Sequence, residues 1–374
     1  MSYKLASFPR GQRDELFHAL RKNVGEYFDK NGISPYGDYR MILKTLAMVV
    51  MYGLPYGLMV SGVISQEWGV FLCWVVMGIG VAGIGMGVMH DANHGSYSKN
   101  AQVNRWVGYI LNVVGGLALN WKIQHNKLHH SYTNVEGHDE DIAPPPIMRF
   151  CPHDKRYLVH RFQHVYAWFF YGLMTLVWVT IKDFKQLISF KKRGLLGRNA
   201  KDFPVLMIKI VLLKVVYWAY ALVIPLMVVD VPAWQIVLGF VTMHFIAGVL
   251  MGSVFQLAHV MPSAEFPQPD ENNQLGYQFA AHQLRTTNNF APHNRILNWY
   301  VGGLNYQVEH HLFPNICHIH YPKIAPIVKE TAEKFGVPYN SVPSLRKALS
   351  YHAQMLHKLG TQDFEPKPAA VPAA

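Results

Sequence analysis

The chain has few charged residues and few cysteines for its length. Of its 374 residues only 15% are Asp, Glu, Lys or Arg, whereas an average soluble protein has about 25%. The three cysteines, Cys73, Cys151 and Cys317, are far apart and form no CxxC pair. This shortage excludes a disulfide-stapled secreted domain and a sulfur-ligated zinc site. The 13% of aromatic residues and the lack of a Gly-X-Y repeat exclude wholly disordered and collagen-like chains.

Long uncharged runs indicate an integral membrane protein. A helix needs about 20 apolar residues to cross the hydrocarbon core, and the sequence has four such runs in two pairs. The first pair lies within 45–89 and is separated only by residues 65–68; the second lies within 205–260 and is separated only by residues 230–231. Each pair predicts a hairpin. The expected fold class is therefore an all-α integral membrane protein with four transmembrane helices in two hairpins.

Two shorter apolar stretches leave the number of spans open. Trp106–Trp121 and Val165–Ile181 are rich in Trp and Tyr, and at roughly 16 or 17 residues they are at or below the lower limit for a span. We interpret both as interfacial or re-entrant segments with their aromatic rings at headgroup level. The alternative is that both cross, which gives six spans.

The distribution of basic residues predicts an orientation. The chain has 34 Lys+Arg against 23 Asp+Glu, a net charge of +11. The two short turns contain Glu67 and Asp230 but no basic residue, and apart from Lys209 and Lys214 every basic residue lies in the long segments. By the positive-inside rule the turns are outside, and the termini and long segments are cytosolic. The net charge then has an explanation without nucleic acid, so no nucleic-acid partner is expected.

Histidine is abundant and clustered in three short patterns. Seven of the 20 histidines fall in HDANH at 90–94, HNKLHH at 125–130 and QVEHH at 307–311. Residues four apart share one face of a helix, so the first two patterns each form a two-histidine clamp suited to a divalent metal. A single pattern of this kind is weak evidence, because polar surface or core histidines produce it as well.

The position of these patterns at membrane exits strengthens the prediction. His90 directly follows the second apolar run, and His259 lies about 39 Å from Ala233 along a continuous helix. This exceeds the hydrocarbon thickness of about 30 Å, so His259 emerges on the side of His90. A shared site requires all histidines on one side, which favours four spans. Spacing does not choose the metal, but the number of ligands suits two ions held by His90, His94, His125, His129, His130, His259, His310 and His311.

The three patterns and their flanks resemble the membrane fatty-acid desaturases, whose signature is HxxxH, HxxxHH and (H/Q)xxHH. The stretches HDANHGSYS, QHNKLHHSYTNVEGHDEDI and NWYVGGLNYQVEHHLFP are most similar to bacterial linoleoyl-CoA desaturase-like and front-end acyl-lipid desaturases. The resemblance covers about Leu46–Pro314. It implies a cytosolic helical cap holding two iron ions ligated by the eight histidines, with O2 as co-substrate. It also implies that the enzyme introduces a cis double bond into an acyl-CoA or acyl-lipid chain.

The resemblance further implies two external electrons for each double bond. The sequence has neither an HPGG haem motif nor an iron–sulfur cysteine run. We therefore expect a separate electron donor, of the ferredoxin or cytochrome b5 type, together with its reductase. The expected surroundings are membrane lipids, and the expected location is the bacterial inner membrane with the active site on the cytosolic side.

Several residues beside the patterns are candidates for a second layer around the metals. Metal-bound imidazoles donate their other N–H to an acceptor, although Asp139 and Asp141 can equally belong to a solvated acidic loop. Gln283 and Thr287, in the family-like stretch HQLRTTNNF, are predicted to line the substrate channel. The candidates for metal ligation or ligand orientation are Gln307, His282, Asp91, Asp139, Asp141, Asn126 and Asn305.

The predicted organisation alternates membrane hairpins with cytosolic segments. It consists of a cytosolic N-terminal region at 1–44, hairpin 45–89, a cap segment at 90–204 with the first two histidine boxes and interfacial helices, hairpin 205–257, a cap segment at 258–360 with the third box, and a disordered tail at 361–374.

Two other functions fit part of the pattern. A histidine-box hydroxylase or ketolase inserts oxygen instead of removing a second hydrogen. A non-enzymatic metal-binding membrane protein or transporter is a different class, and a transporter needs polar ligands near the bilayer midplane. Only His244 lies deep within a predicted span, and as a lone residue it is predicted to be a hydrogen-bonded core histidine.

Overall fold

The computed structural model describes residues 3–9 and 13–364. Most of the predicted tail, from residue 365 to 374, lies outside these residues. Over the described residues the chain is mostly helical, which confirms the predicted all-α class. The exceptions include one small parallel sheet, in which β1 (Asn289–Phe290) pairs with β2 (Ser341–Val342).

The α-helices follow one another with short connections. In chain order they are α1 (Glu15–Asn31), α2 (Tyr39–Val60), α3 (Glu67–Gly83), α4 (Met89–His94), α5 (Ala101–Gly108), α6 (Ile110–Val113), α7 (Ala118–Trp121), α8 (Gln163–Val177), α9 (Asp183–Lys192), α10 (Phe203–Trp218), α11 (Ile224–Val228), α12 (Ala233–His259), α13 (Phe279–Thr286), α14 (Arg295–Tyr300), α15 (Gln307–Leu312), α16 (Tyr321–Lys334) and α17 (Leu345–Thr361).

Several helices are extended or joined by turns of a different winding. Four segments are π-helical: Ile84–Val88, Lys122–His129, Trp178–Lys182 and Ala219–Val223. Short 3-10 turns are formed by Glu140–Ile142, Leu158–Phe162, Gly197–Asp202 and His318–His320. π-Helical turns are rare and are frequently found at functional sites. Ile84–Val88 ends two residues before the first histidine pattern, and Lys122–His129 overlaps the second.

The chain divides into two compact units. The first contains Tyr3, Asp38–Ile123 and Trp168–Ser253, and the second contains the described residues of Lys4–Gly37, Gln124–Ala167 and Val254–Ala374. Each unit is thus assembled from segments that are distant along the sequence. The second and third histidine patterns belong to the second unit, whereas the first pattern belongs to the first.

Five helical segments of the described chain are long and apolar enough to cross a membrane. They are Tyr39–Val60, Glu67–His94, Leu158–Lys192, Gly197–Val228 and Ala233–His259. The first, second, fourth and fifth correspond to the four predicted spans. The third contains the stretch Val165–Ile181, for which the sequence predicts an interfacial position.

Glycine allows close helix packing in the first unit. A side chain on Gly78 would collide with the backbone of Met243, and one on Gly239 would collide with the indole of Trp74. Small residues serve this purpose in membrane helices, where apolar burial does not distinguish a neighbouring helix from lipid. Residues 78–83 match the pattern GxGxxG, which forms a nucleotide-binding loop when it lies between a strand and a helix. Here the pattern lies within α3 and takes part in a helix contact.

His244 lies in the interior of the first unit and confirms the prediction made for it. Its Nε2 lies 2.7 Å from the hydroxyl of Tyr217, and its Nδ1 lies 3.2 Å from Oγ1 of Thr175. The side chain is buried. Because both ring nitrogens have hydrogen-bond partners, the residue has the environment of a structural core histidine.

The core of the second unit is built around α1. The Asp14 carboxylate caps this helix by accepting a hydrogen bond from the amide of Phe17. Leu20 and Val24 lie on one face at helical spacing and pack with Val328 of α16 in a single apolar cluster. This cluster includes residues of α13 and α15, so the helix of the third histidine pattern is held by ordinary hydrophobic packing.

Candidate metal centre

The first histidine pattern forms a close pair on α4. The rings of His90 and His94 have centroids 4.7 Å apart, and the indole of Trp121 lies 5.6 Å from the first and 5.5 Å from the second. The Asp91 carboxylate is 3.7 Å from Nδ1 of His90. Gly95, at φ 80°, ends the helix immediately after the pair. The i, i+4 spacing therefore brings the two imidazoles together as predicted.

Most of the second pattern lies in the π-helical segment Lys122–His129 and not in the expected α-helix. The amide of His130 donates to the carbonyl of His125, an i to i+5 hydrogen bond of 3.0 Å. This winding brings the His125 and His130 rings to 4.7 Å, with their Nε2 atoms 3.2 Å apart. The His130 ring also lies 4.5 Å from that of His310. The first and last histidines of the HxxxHH pattern are therefore neighbours in space.

Three histidines from separate segments of the second unit form a compact triad. His129 is the last residue of the π-helix Lys122–His129, His259 is the last residue of α12, and His311 lies on α15. Their ring centroids are 4.6, 4.8 and 4.9 Å apart, and one nitrogen of each lies within 4.8 Å of those of the others. All three are buried. The Nε2 atom of each has no hydrogen-bond partner among the described residues.

The opposite nitrogen of each triad ring has a hydrogen-bond acceptor. Nδ1–H of His129 donates to the Asp139 carboxylate at 3.0 Å, and that of His311 donates to Oε1 of Gln283 at 2.9 Å. Nδ1 of His259 lies 3.4 Å from the carbonyl of Thr286. These bonds select the tautomer with its lone pair on Nε2. The three lone pairs are then available in one buried place.

The acceptor Asp139 is itself held in position. Its Oδ2 accepts from the amide of Asn134 at 3.0 Å, and its Oδ1 accepts from the amide of Asp141 at 2.9 Å. Burial alone would raise the pKa of Asp139, but the His129 ring and these amides outweigh it and keep the carboxyl pKa below its usual value. The ionised carboxylate in turn raises the pKa of His129 against the effect of burial. A more basic imidazole is a stronger metal ligand.

The environment of His311 favours the neutral ring. Burial, followed by the neighbouring histidines, holds the pKa of His311 well below its usual value. The neutral imidazole is the form that binds metals. This fits an Nε2 atom that has no hydrogen-bond partner among the described residues.

The helix of the third pattern is fixed by a buried acidic residue in its first turn, directly before the two histidines. The Glu309 carboxylate accepts from Nδ2 of Asn289 and from the hydroxyl of Tyr339, both at 2.8 Å. Oδ1 of the same asparagine accepts from the amide of Val308 at 2.9 Å. Burial raises the pKa of Glu309 to about 7 despite these hydrogen bonds. The strand β1 thereby holds the backbone that carries His310 and His311.

The triad satisfies the requirements of a metal site. Burying a nitrogen that has no hydrogen-bond partner costs free energy. The three triad histidines each have such a nitrogen, and binding a cation would remove this cost. Imidazole donors suit iron, zinc, copper and nickel alike. The described residues are thus compatible with a bound transition metal, and their geometry does not choose among these ions.

Gln307 and His282 are buried in the second unit. Oε1 of Gln307, in the first turn of α15, has no hydrogen-bond partner among the described residues. The His282 ring packs edge-on against Phe8 at 5.6 Å, and burial lowers its pKa to about 4. His282 is absent from the histidine and carboxylate groups of the described chain that have metal-binding spacing.

The remaining sequence-predicted residues have diverse environments. Asp141 lies 3.6 Å from Nδ1 of His129. Asn305 is buried and donates to the carbonyl of Ala291 at 3.3 Å. The hydroxyl of Thr287 donates to the backbone carbonyl of Gln283 at 2.6 Å, while Nε2 of that glutamine donates to the carbonyl of His130 at 3.0 Å. Gln283 and Thr287 are both fully buried.

Sequence reasoning missed Thr133, which contacts two parts of the triad. Its Oγ1 lies 2.8 Å from the carbonyl of His129, 2.9 Å from Oε1 of Gln283 and 3.1 Å from Nδ1 of His311. The available signal was its place four residues after His129, although the structure puts it in the turn that follows the π-helix. The identity of its distant partners had no signal in a single sequence.

A cavity of about 730 Å³ in the second unit reaches two of the histidines. Its walls include Phe17 and Phe28 of α1 and Phe313 after α15, and its lining includes His130 and His311. Asn126 also lines it. The cavity gives a small or extended apolar molecule access to the surroundings of the third histidine pattern.

Several known proteins match more than nine-tenths of the chain. The sequence model described as fatty acid desaturase matches residues 66–343. The chain is 38% identical to the sn-1 linoleoyl-lipid 6-desaturase of Arthrospira platensis, over 91% of each chain. It is 33% identical to the enzyme of the same name from Synechocystis, over 93% of this chain and 96% of that protein. An acyl-lipid (8-3)-desaturase of Physcomitrium patens is 33% identical over 94% of this chain and 73% of that protein. The chain belongs to the fatty acid desaturase family and is an oxidoreductase that introduces double bonds into fatty acyl chains.

Proposed function

We propose that this desaturase holds two iron ions and uses O2 to form a cis double bond in a membrane lipid. The triad of His129, His259 and His311 carries the proposal, because its three Nε2 atoms are buried, close together and without protein partners. A saturated C–H bond offers nothing to ordinary acid–base side chains, and iron with O2 supplies the oxidant that such a reaction needs.

The full ligand set in this proposal is the set of eight histidines. His125, His130 and His310 form a second group beside the triad, with ring separations of 4.5 to 5.9 Å. By the order of the family's histidine boxes, we assign His90 and His94 to the same dimetal centre. Two ions can share eight imidazole ligands and keep ordinary coordination numbers.

The protein side chains supply orientation and exclude water in this proposal. Asp139 and Gln283 fix the tautomers of His129 and His311 through their Nδ1 atoms. The triad histidines are at most 1% exposed. A dry site prevents side reactions of the oxidant. Asp91, Asp141, Asn126, Asn305, His282 and Gln307 remain candidates for further support or ligation.

We also propose that four of the five apolar segments cross the membrane. His129 precedes Leu158–Lys192, Gly197–Val228 and Ala233–His259, yet its ring lies 4.6 Å from that of His259. An even number of crossings must separate two residues on the same side, so one of the three segments does not cross. Leu158–Lys192 has the lowest mean hydropathy of these three, at 1.4, which favours it as the interfacial segment.

The remaining topology follows from the charge pattern. We propose that the hairpins 45–89 and 205–257 form the membrane stem and that 90–204 and 258–360 form a cytosolic cap. The positive-inside rule supports cytosolic termini and a cytosolic active site. In a bacterium this membrane is the inner membrane.

The substrate in this proposal is an acyl chain carried on a membrane lipid. The relatives from Arthrospira and Synechocystis are named for a linoleoyl-lipid and for position 6, and that from Physcomitrium for an acyl-lipid. These names favour a lipid-linked acyl chain over an acyl-CoA, and position 6 in two of them favours the front-end type. We propose that electrons come from a separate ferredoxin or cytochrome b5 type protein with its reductase, because the sequence has no HPGG motif and its cysteines are widely spaced.

Lipid analysis of a host that expresses the chain tests this function. Cells supplied with linoleate should accumulate an acyl chain with one additional cis double bond on the carboxyl side of the existing ones, in lipid extracts and not first in acyl-CoA. Mass spectrometry with double-bond location identifies it, and cells with an empty vector are the control. A hydroxylated or keto product would instead support the oxygen-inserting alternative, and bound zinc without any product would contradict the enzyme assignment.

A further inference from the structure

A groove on the first unit lies outside the residues assigned to the metal centre. It has a volume of about 540 Å³ and runs between α10 and the segment of residues 109–119. Its α10 wall presents Leu206, Lys209, Leu213 and Val216, which are three or four residues apart and so share one helix face. The groove is therefore mostly apolar, with one basic side chain near one end.

The surroundings of the groove are those of a lipid-facing surface. α10 belongs to the apolar segment Gly197–Val228, and its residues Ile208, Val211 and Val215 beside the groove are 48–60% exposed. Lys209 follows the start of α10 at Phe203 by six residues, or about 9 Å of helix. A lysine at that depth reaches the headgroup region by extending its side chain along the helix. From Lys209 the apolar wall continues toward the bilayer interior.

Two further cations lie around Tyr109, which lines the groove. Nε of Arg105 donates to the Tyr109 hydroxyl at 3.1 Å, and its guanidinium lies 5.7 Å from the centre of that ring. Lys122 is half-buried, and burial chiefly, with a smaller contribution from the charge of Arg105, lowers the pKa of its ammonium. No carboxylate of the described chain forms an ion pair with Arg105, Lys122 or Lys209. The groove and the surroundings of Tyr109 therefore contain three basic side chains that form no ion pair with a carboxylate of the described chain.

The two walls of the groove are tied together without any ligand. Nζ of Lys214, five residues after Lys209, donates to the carbonyls of Gly115 at 2.6 Å and Trp178 at 2.8 Å, and to the Asp183 carboxylate at 2.6 Å. The segment 109–119 is thereby fixed against α10. A preformed groove loses little freedom when it binds a ligand.

We propose that this groove binds one anionic glycerophospholipid, with its phosphate at Lys209, Arg105 and Lys122 and an acyl chain along Leu206–Val216. An anion compensates the three cations, and an acyl chain covers the apolar wall. The groove also includes Ala118, the first residue of α7. That helix ends at Trp121, which packs on His90 and His94, so the lipid would lie against the segment that supports the first histidine pair.

Native mass spectrometry of the purified full chain tests the site. The detergent-solubilised protein is titrated with phosphatidylglycerol and, separately, with phosphatidylcholine of the same acyl chains. We expect one tightly bound phosphatidylglycerol and clearly weaker binding of phosphatidylcholine. K209Q should weaken phosphatidylglycerol binding about fivefold, the effect of one basic residue near an anionic lipid surface, and the double variant K209Q/R105Q should weaken it further.

Lys201 provides the matched control, because it is exposed in the same unit but does not line the groove. K201Q should bind phosphatidylglycerol like the wild type. L213W, which fills the groove, should weaken both lipids alike. Equal affinity of the wild type for the two lipids, or equal behaviour of K209Q and K201Q, would overturn the proposal. Both readouts measure binding, so they are independent of desaturase activity.

Discussion

Two buried polar clusters, one in each unit, differ in how completely the protein satisfies them. In the first unit, the Lys214 ammonium donates to Asp183 and to two carbonyls, and Asn120 donates to the backbone carbonyl of Asp183 at 2.8 Å. In the second unit, His129 and His311 use Nδ1 for protein hydrogen bonds but leave Nε2 without a partner. A satisfied charge has the features of a structural tie, whereas converging unsatisfied nitrogens have those of a binding site.

This comparison explains why burial of polar residues alone does not identify function. Lys214 and His311 are both buried and both contact residues distant in sequence. They differ in the balance of donors and acceptors around them. The variants below test whether the first cluster supports folding and the second supports metal binding.

The largest effect is expected from the triad. H311A removes one of the three inward nitrogens, so it should abolish desaturation and lower bound iron, while the protein remains folded and extractable. Product analysis and metal content of the purified protein measure both effects. H18A is the control, because His18 lies on α1 outside the triad and should retain activity and iron. Full activity of H311A would contradict the assignment of the triad.

A large loss of stability, with a different signature, is expected from Lys214. K214M leaves the buried Asp183 carboxylate without its cation, which typically costs about 3 to 5 kcal/mol. The thermal unfolding temperature in detergent should fall. Iron bound per folded protein should not change.

The double variant K214M/D183N sharpens this prediction. It removes both charges, so it should recover most of the lost stability, as replacement of whole buried pairs often does. A double variant no more stable than K214M would show that the ammonium acts through its two carbonyl partners instead of through the ion pair.

An intermediate effect is expected where the protein supports a ligand without contacting the metal. D139N keeps the size of the side chain but removes the charge that makes His129 more basic. Loss of such a partner typically lowers metal affinity 10- to 100-fold. A competition titration with a chelator measures the change, and added iron should restore activity to D139N but not to H311A. Unchanged metal affinity in D139N would limit Asp139 to a structural role.

The sequence indicates the candidate ligands more readily than the residues that support them. Histidine spacing and membrane exits are local properties of the chain, and they point to His129, His259 and His311. Gln283 and Thr133, in contrast, lie 28 and 178 residues from His311, and only tertiary packing brings them to its Nδ1. The π-helical winding at Lys122–His129 was also missed, since histidines spaced HxxxHH suit an α-helix equally well.

The membrane topology shows the same limit. Length and apolarity predict the spans of both proposed hairpins, but Leu158–Lys192 satisfies the same criteria. Whether such a helix crosses depends on which side its neighbours occupy. The contact between His129 and His259 supports the proposed four-span arrangement, and a single sequence gives no such contact.

The smallest effect is expected from a buried histidine outside the ligand groups. His352 is buried on α17, and its Nδ1–H donates to the carbonyl of Val260 at 2.8 Å. Burial lowers its pKa to about 4 from its usual value of 6.5. Between these two values the unfolded chain binds a proton that the folded protein does not. The free energy of unfolding is therefore unaffected by this residue above pH 6.5. It decreases as the pH falls from 6.5 toward 4, by at most about 3 kcal/mol.

H352N separates this titration from those of the other buried histidines, because asparagine retains a donor for the carbonyl of Val260 but has no proton to gain. Unfolding temperatures, measured in detergent from pH 7.5 to 4.5, should fall more steeply for the wild type than for H352N as the pH falls. A constant difference between the two proteins over this range would mean that folded His352 gains its proton at its ordinary pKa without a cost to the fold. A steeper fall of the wild type would identify a third kind of buried polar group in this protein, which is satisfied at neutral pH and costly only in acid.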